Sequence, residues 1–150
     1  MDDLFMLAEG FRRAIEENRS KDRLLYSFPK GCCTIACSLL QRYLFENGVE
    51  TDCVVGEYVK NGESDSHEWL EYAERIVIDI TGDQYSSRND ALKYLIPVYV
   101  GPKDEFHQLF QEKPREPYKE PEPDPFGSDL TVSAKNDILY RTIIESMKRK

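Results

Sequence analysis

Apolar residues at Leu4, Leu7, Ala8, Phe11, Ala14 and Ile15 recur at intervals of three and four between Asp2 and Asn18, the period of one helix face. Arg12 and Arg13 fall on the other side, so the first element is predicted to be an amphipathic helix. After a loop over residues 20–30, Gly31 opens a second helical run. Cys33, Ala36, Cys37, Leu40, Tyr43 and Leu44 make one stripe there, and Ile35 and Leu39 add a second apolar side. A helix apolar on two sides belongs at the centre of a domain. Asn47-Gly48, a left-handed cap pair, should end it.

From Cys53 the period falls to two. Residues 53–59, 66–72 and 75–80 predict three antiparallel strands in a meander, with a turn-rich stretch over 60–65. A short helix over 89–95, a strand over 97–100 and a helical turn or two over 104–111 are expected to follow. Residues 113–126 carry five of the eight prolines among alternating charges, a composition that disfavours both ladders and helices. The final run, 133–150, places Ile138, Leu139, Thr142, Ile143, Ile144 and Met147 on roughly one side of a helix that docks on the domain or on a protein partner. The organisation expected is an α+β domain over 1–112, a Pro-rich acidic connector over 113–128 and a C-terminal helix within 129–150.

A chain of 150 residues with 40% hydrophobic content can build one core. Its formal charge of −8 argues against nucleic-acid binding, because the cationic run Lys148-Arg149-Lys150 is too short for a phosphate-binding face. No apolar run approaches membrane-spanning length, and Met1-Asp2-Asp3 is too acidic to open a secretory signal. These features predict a cytoplasmic protein with no membrane association. Four cysteines in that setting are expected to be reduced thiols. Cys32-Cys33-x3-Cys37 lacks the Cys-x2-Cys knuckle spacing, and the two histidines are far apart in sequence, so no metal is expected.

The second and third strands can be paired by chemistry. If the connection centres on Ala73, opposed residue numbers sum to 146 and His67 faces Asp79. The same register sets Glu71 against Arg75 and Trp69 against Val77, both favourable pairs, and sends Leu70, Ile76, Ile78 and Ile80 to the other face. A slip of one residue would part the imidazole from the carboxylate. Cys33, at the mouth of the second helix, would lie beside orphan N–H groups and the positive end of the helix dipole, which favour thiolate. A nearby imidazole can take the thiol proton and a carboxylate can fix the ring, so Cys33, His67 and Asp79 are the candidate nucleophile, base and orienter.

The order Gly31-x-Cys33, an apolar helix to Gly48-Val49, a strand ending at Gly56, then His67-x-Trp69-Leu70-Glu71 and Ile78-Asp79-Ile80-Thr81, resembles the transglutaminase-like group of the papain-like cysteine enzyme superfamily. The match covers residues 31–81. It implies a papain-like core, a central helix packed on an antiparallel sheet, with Cys33, His67 and Asp79 as the catalytic residues and no cofactor. Ile80 stands where that family often has proline, and no glutamine or tryptophan is placed upstream of Cys33 to complete an oxyanion hole; Gln84 approaches from the far end of the strand. The resemblance implies attack on a peptide or side-chain amide through a thioester, with hydrolysis, deamidation and acyl transfer left open. The alternative is a non-catalytic adaptor on the same scaffold.

The remaining cysteines and the second histidine read as structural. Cys37 and Cys53 are expected to be small buried hydrophobes. Cys32 is the alternative nucleophile, but Cys33 matches Gly-x-Cys and shares the stripe with Ala36, Cys37 and Leu40. His107 has no partner visible in the sequence and is read as structural.

Overall fold

A computed structural model describes residues 2–73, 75–119 and 132–149. Helix α1 (Asp2–Asn18) buries Leu4, Ala8, Phe11, Ala14 and Ile15, the stripe predicted from their spacing. Arg12 departs from that expectation. It is 7% exposed, and its guanidinium donates to both carboxylate oxygens of Asp83 at 2.7 and 2.8 Å and to the carbonyls of Ile80 and Pro97. Its long stem crosses the helix flank, and the fork finds acceptors that only the folded chain brings there.

Helix α2 (Cys33–Glu46) buries Ala36, Cys37, Leu39, Leu40 and Leu44. It ends as the Asn-Gly pair predicts: Gly48 has φ +83°, and the N–H groups of Gly48 and Val49 donate to Phe45 and Leu44.

Strands β1 (Thr51–Lys60) and β2 (Glu63–Tyr72) form a long hairpin in place of the shorter strands and wide turn expected over 60–65. Asn61 (φ 54°) and Gly62 (φ 80°) both take positive φ, and this two-residue reversal lets pairing run up to Lys60 and Glu63. Strand β3 (Ile76–Asp79) pairs with β2 through Leu70–Ile78, Glu71–Val77 and Tyr72–Ile76, a sum of 148 where 146 was expected. Three residues separate Tyr72 from Ile76, with Ala73 at φ 54°; a reversal centred on Ala73 itself leaves too little chain to turn. The displacement is even, so each residue keeps its face.

Past β3 the sequence reading holds less well. A 3₁₀ turn forms at Gly82–Tyr85, and residues 89–95 form turns rather than a helix. The Asp90 carboxylate accepts from the Leu92 N–H and the Asp90 carbonyl from Lys93, a single local turn, after which Leu92 and Tyr94 are buried. Strand β4 (Tyr99–Pro102) lies two residues later than predicted, and α3 (Glu105–Gln108) is one turn capped by Asp104. The two-residue strands β5 (Gln111–Glu112) and β6 (Glu116–Pro117) both pair with β1. Residues 113–119, read from composition as connector, thus add an edge ladder at Glu116–Pro117, a position where proline is tolerated. The rest of the connector lies outside the described residues.

Among the described residues the architecture is α+β: four α-helices and a six-stranded antiparallel sheet in the order β4-β3-β2-β1-β5, with β6 also on β1. On one face, Leu70, Ile78 and Ile80 pack with α1, α2 and α4 (Val132–Lys148). Helix α4 docks on its own domain through Leu139, Tyr140 and Ile143, and Arg42 holds Asp137 at 2.8 Å. The other face carries an aromatic cluster of Trp69, Tyr85, Tyr94, Phe106 and Phe110 with Val54, Val77 and Leu92. No described helix is long and apolar enough to cross a membrane.

Candidate functional site

Strand β3 ends at Asp79, so β2 from Glu63 to Trp69 has no β3 neighbour, which leaves an opening in the ladder beside His67 and Glu68 where the Tyr85 hydroxyl donates to the Ser66 carbonyl. Cys33 reaches that opening from the helical face. It starts α2 behind an N-cap, Cys32, that contributes no side-chain cap, which leaves the first helical N–H groups and their positive field around the thiol. Thr34 ties the first turn to β2 by donating to Glu68 Oε1 at 2.8 Å.

From the opposite face comes His67, fully buried among Trp69, Tyr85, Phe106 and Phe110. Its Nε2 lies 2.7 Å from Asp79 Oδ2, although the observed register makes the two residues diagonal rather than direct neighbours. Conserved facing, not direct opposition, is what joins them, because diagonal side chains on one face are still within reach. With Nε2 on the carboxylate, Nδ1 is the nitrogen that serves both the thiol and the Gln84 amide.

The electrostatics follow from these contacts. Burial pushes the Cys33 thiol up, but the hydrogen bond and charge of His67 and the Glu68 backbone N–H outweigh it, and the pKa is lowered overall. Burial pulls His67 down, yet the charge and hydrogen bond of Asp79, with Cys33 adding to them, raise it to about 9. Asp79 is also buried, and burial alone would raise it; His67 and His107 hold it far below the usual carboxylate range. The other thiols behave oppositely. Burial raises Cys32, whose sulfur donates to the carbonyls of Leu24 and Lys30, and burial carries Cys37 well above an ordinary thiol. Cys53, half-buried rather than buried, is pushed up to about 12 by desolvation and by Glu68. The favoured position within the Cys32-Cys33 pair therefore stands out in its surroundings as well as in its spacing.

Two side chains enlarge the set drawn from the sequence. Gln84 Nε2 lies 3.0 Å from His67 Nδ1, so the residue suspected from the far end of the strand does reach the imidazole. The Arg12–Asp83 clamp fixes the turn that carries it, and Gly82 lets that turn close: a Cβ there would stand 2.7 Å from the Tyr94 ring and 3.2 Å from Asp79 Oδ2. His107 corrects the expectation that it lacks partners. It is fully buried, its Nε2 lies 2.7 Å from Asp79 Oδ2, and its Nδ1 lies 2.5 Å from Asp104 Oδ1. The only sequence-level hint of this is Asp104 at a helix N-cap three residues before it.

His67, Asp79 and His107 form a group with the donor types of a metal site. Each imidazole nitrogen nevertheless sits only 2.7 Å from the shared carboxylate oxygen, against an edge of about 3.3 Å between ligands on a tetrahedral zinc. Hydrogen-bond spacing of this kind suits shared protons better than a central ion. Comparison with known proteins gives no significant match: no family model, curated protein or solved structure matches the chain.

Proposed function

We propose that this protein is a cysteine-dependent acyl-group enzyme with a papain-like, transglutaminase-like core, acting on a peptide or side-chain amide. One observation carries the reading. The only cysteine among the four whose pKa is lowered is the one beside an imidazole that a buried carboxylate holds at 2.7 Å.

In the reaction, the Cys33 sulfur attacks the amide carbonyl carbon and its proton passes to His67 Nδ1. The C–N bond then breaks as Nδ1–H protonates the departing nitrogen, leaving a thioester on Cys33. A water or amine, deprotonated by the same Nδ1, attacks the thioester and the C–S bond breaks. Asp79 keeps the ring in the tautomer with hydrogen on Nε2 and stabilises the imidazolium. The Gln84 amide, which lies beside the imidazole, and the N–H groups at the start of α2 are the donors assigned in this reading to the developing oxyanion. Water as acceptor gives hydrolysis and needs no second site.

The test is alkylation with iodoacetamide at pH 6 followed by peptide mapping. Label concentrated on Cys33, and slowed in His67→Ala, supports the enzyme. Equally slow labelling of all four cysteines rejects it in favour of a binding scaffold.

A further inference from the structure

The second histidine sits where the proposed mechanism does not use it. His107 Nε2 and His67 Nε2 approach the same oxygen, Asp79 Oδ2, from two sides, each at 2.7 Å. The other carboxylate oxygen, Oδ1, accepts from the Thr81 N–H at 2.9 Å. Behind His107, Asp104 Oδ1 faces Nδ1 at 2.5 Å and also accepts from the His107 backbone N–H, while Tyr94 donates to Asp104 Oδ2 at 2.8 Å. Both ring nitrogens of His107 thus face carboxylates.

We infer that His107, braced by Asp104, is a positioning residue that fixes Asp79 and divides its negative charge between two imidazoles. The arrangement is a relay of alternating partners, Asp104–His107–Asp79–His67, that reaches Cys33 only at its far end. His107 touches no reacting atom. Its effect passes through Asp79, which it holds in place where the carboxylate is buried and bulk solvent does not reach it. By taking part of that charge, it limits how strongly Asp79 holds a proton on His67, so that the ring can both accept a proton and give it up. The consequence for catalysis rests on the acyl-transfer reading; the effect on His67 does not.

The chain has two histidines, which makes the test direct. In uniformly ¹⁵N-labelled protein, imidazole resonances of wild type and H107Q identify His67 without further assignment. The ionisable groups facing the pair are Cys33 from α2, Asp79 from β3, Asp104 beside α3, and the phenols Tyr85, Tyr94 and Tyr99. All are kept in H107Q. Glutamine lacks the ring that Asp104 and Asp79 grip from two sides, so Asp79 is left more fully to His67 and the His67 midpoint should move upward by about half a unit or more. D104N, at a side chain 23% exposed, should move it in the same direction by less and decides the matter if H107Q fails to fold. A His67 midpoint unchanged in the folded variant overturns the inference. So does stoichiometric zinc or iron in the purified protein that disappears with H107Q, since a metal would then occupy the place given to protons. Unselective alkylation of wild-type Cys33 would instead reject the acyl-transfer reading and leave the titration result standing.

Discussion

His67 and Asp79 hydrogen-bond across a diagonal of the β2–β3 hairpin, 2.7 Å from nitrogen to oxygen, with both side chains withdrawn from solvent. Removing Asp79 takes from His67 and His107 the oxygen that they share. Asp79→Ala should lower stability by about 3–5 kcal/mol, the cost of leaving a buried charge alone, read by urea denaturation. Asp79→Asn keeps the shape and should slow amide or ester turnover by about a hundredfold or more, because the ring loses its tautomeric guide.

The pH dependence of thiol reactivity is a second outcome. Cys33 should alkylate along a curve whose midpoint lies below that of an ordinary cysteine, about 8.5. In His67→Ala that curve should move up, since the two largest effects that oppose burial, the hydrogen bond and charge of His67, are then gone. A wild-type midpoint at or above the ordinary value would contradict the electrostatics described for the site.

Gln84 separates oxyanion binding from thiol activation. Gln84→Ala should reduce turnover of an activated ester by about ten- to a thousandfold, the range for loss of one such donor, while Cys33 alkylation changes much less. Equal losses in both assays would assign Gln84 to holding the imidazole alone.

Arg12 should matter although it lies on the first helix, far from Cys33 in sequence. Arg12→Ala leaves Asp83 and two carbonyls without their donor and should cost about 3–5 kcal/mol. Arg12→Lys should recover only part of this, because an ammonium cannot reproduce the two-pronged contact with Asp83.

Stability also carries a pH signature. The folded pKa of His67, about 9, exceeds the unfolded value of about 6.5, so its contribution is complete below 6.5 and fades as pH rises through 9. In a Cys33→Ser background, which removes the thiol, the difference in melting temperature between His67 and His67→Gln proteins should therefore shrink as pH rises from 6.5 to 9.5. A difference that grows over this range would contradict the assigned direction.

What the sequence made legible was local or periodic. The α1 and α2 stripes, the Asn47-Gly48 cap and the alternation through Trp69, Leu70, Val77 and Ile78 depend on neighbours a few residues away, and each reappears in the fold. The hairpin register was displaced by two, yet parity kept His67 and Asp79 on one face, so a wrong pairing still led to a right proximity. His107 stayed hidden because Asp79 lies 28 residues away and no period links them. Arg12 was misplaced for the same reason: beyond Glu16 on its own helix, its acceptors are a carboxylate and two carbonyls from 68 to 85 residues distant. The turn at 89–95 defeated a helical reading because Asp90 spends its hydrogen bonds on Leu92 and Lys93, and Leu92 and Tyr94 are buried in the aromatic cluster.

The early departure of β3 from β2 has a consequence for how the centre can be closed. The sheet is a partition with one doorway, sulfur waiting on one side of the threshold and imidazole on the other. The backbone groups on that threshold are already engaged, the Ser66 carbonyl by the Tyr85 hydroxyl at 3.0 Å and the Glu68 N–H by the Cys33 sulfur, so side chains and not a further strand fill the doorway.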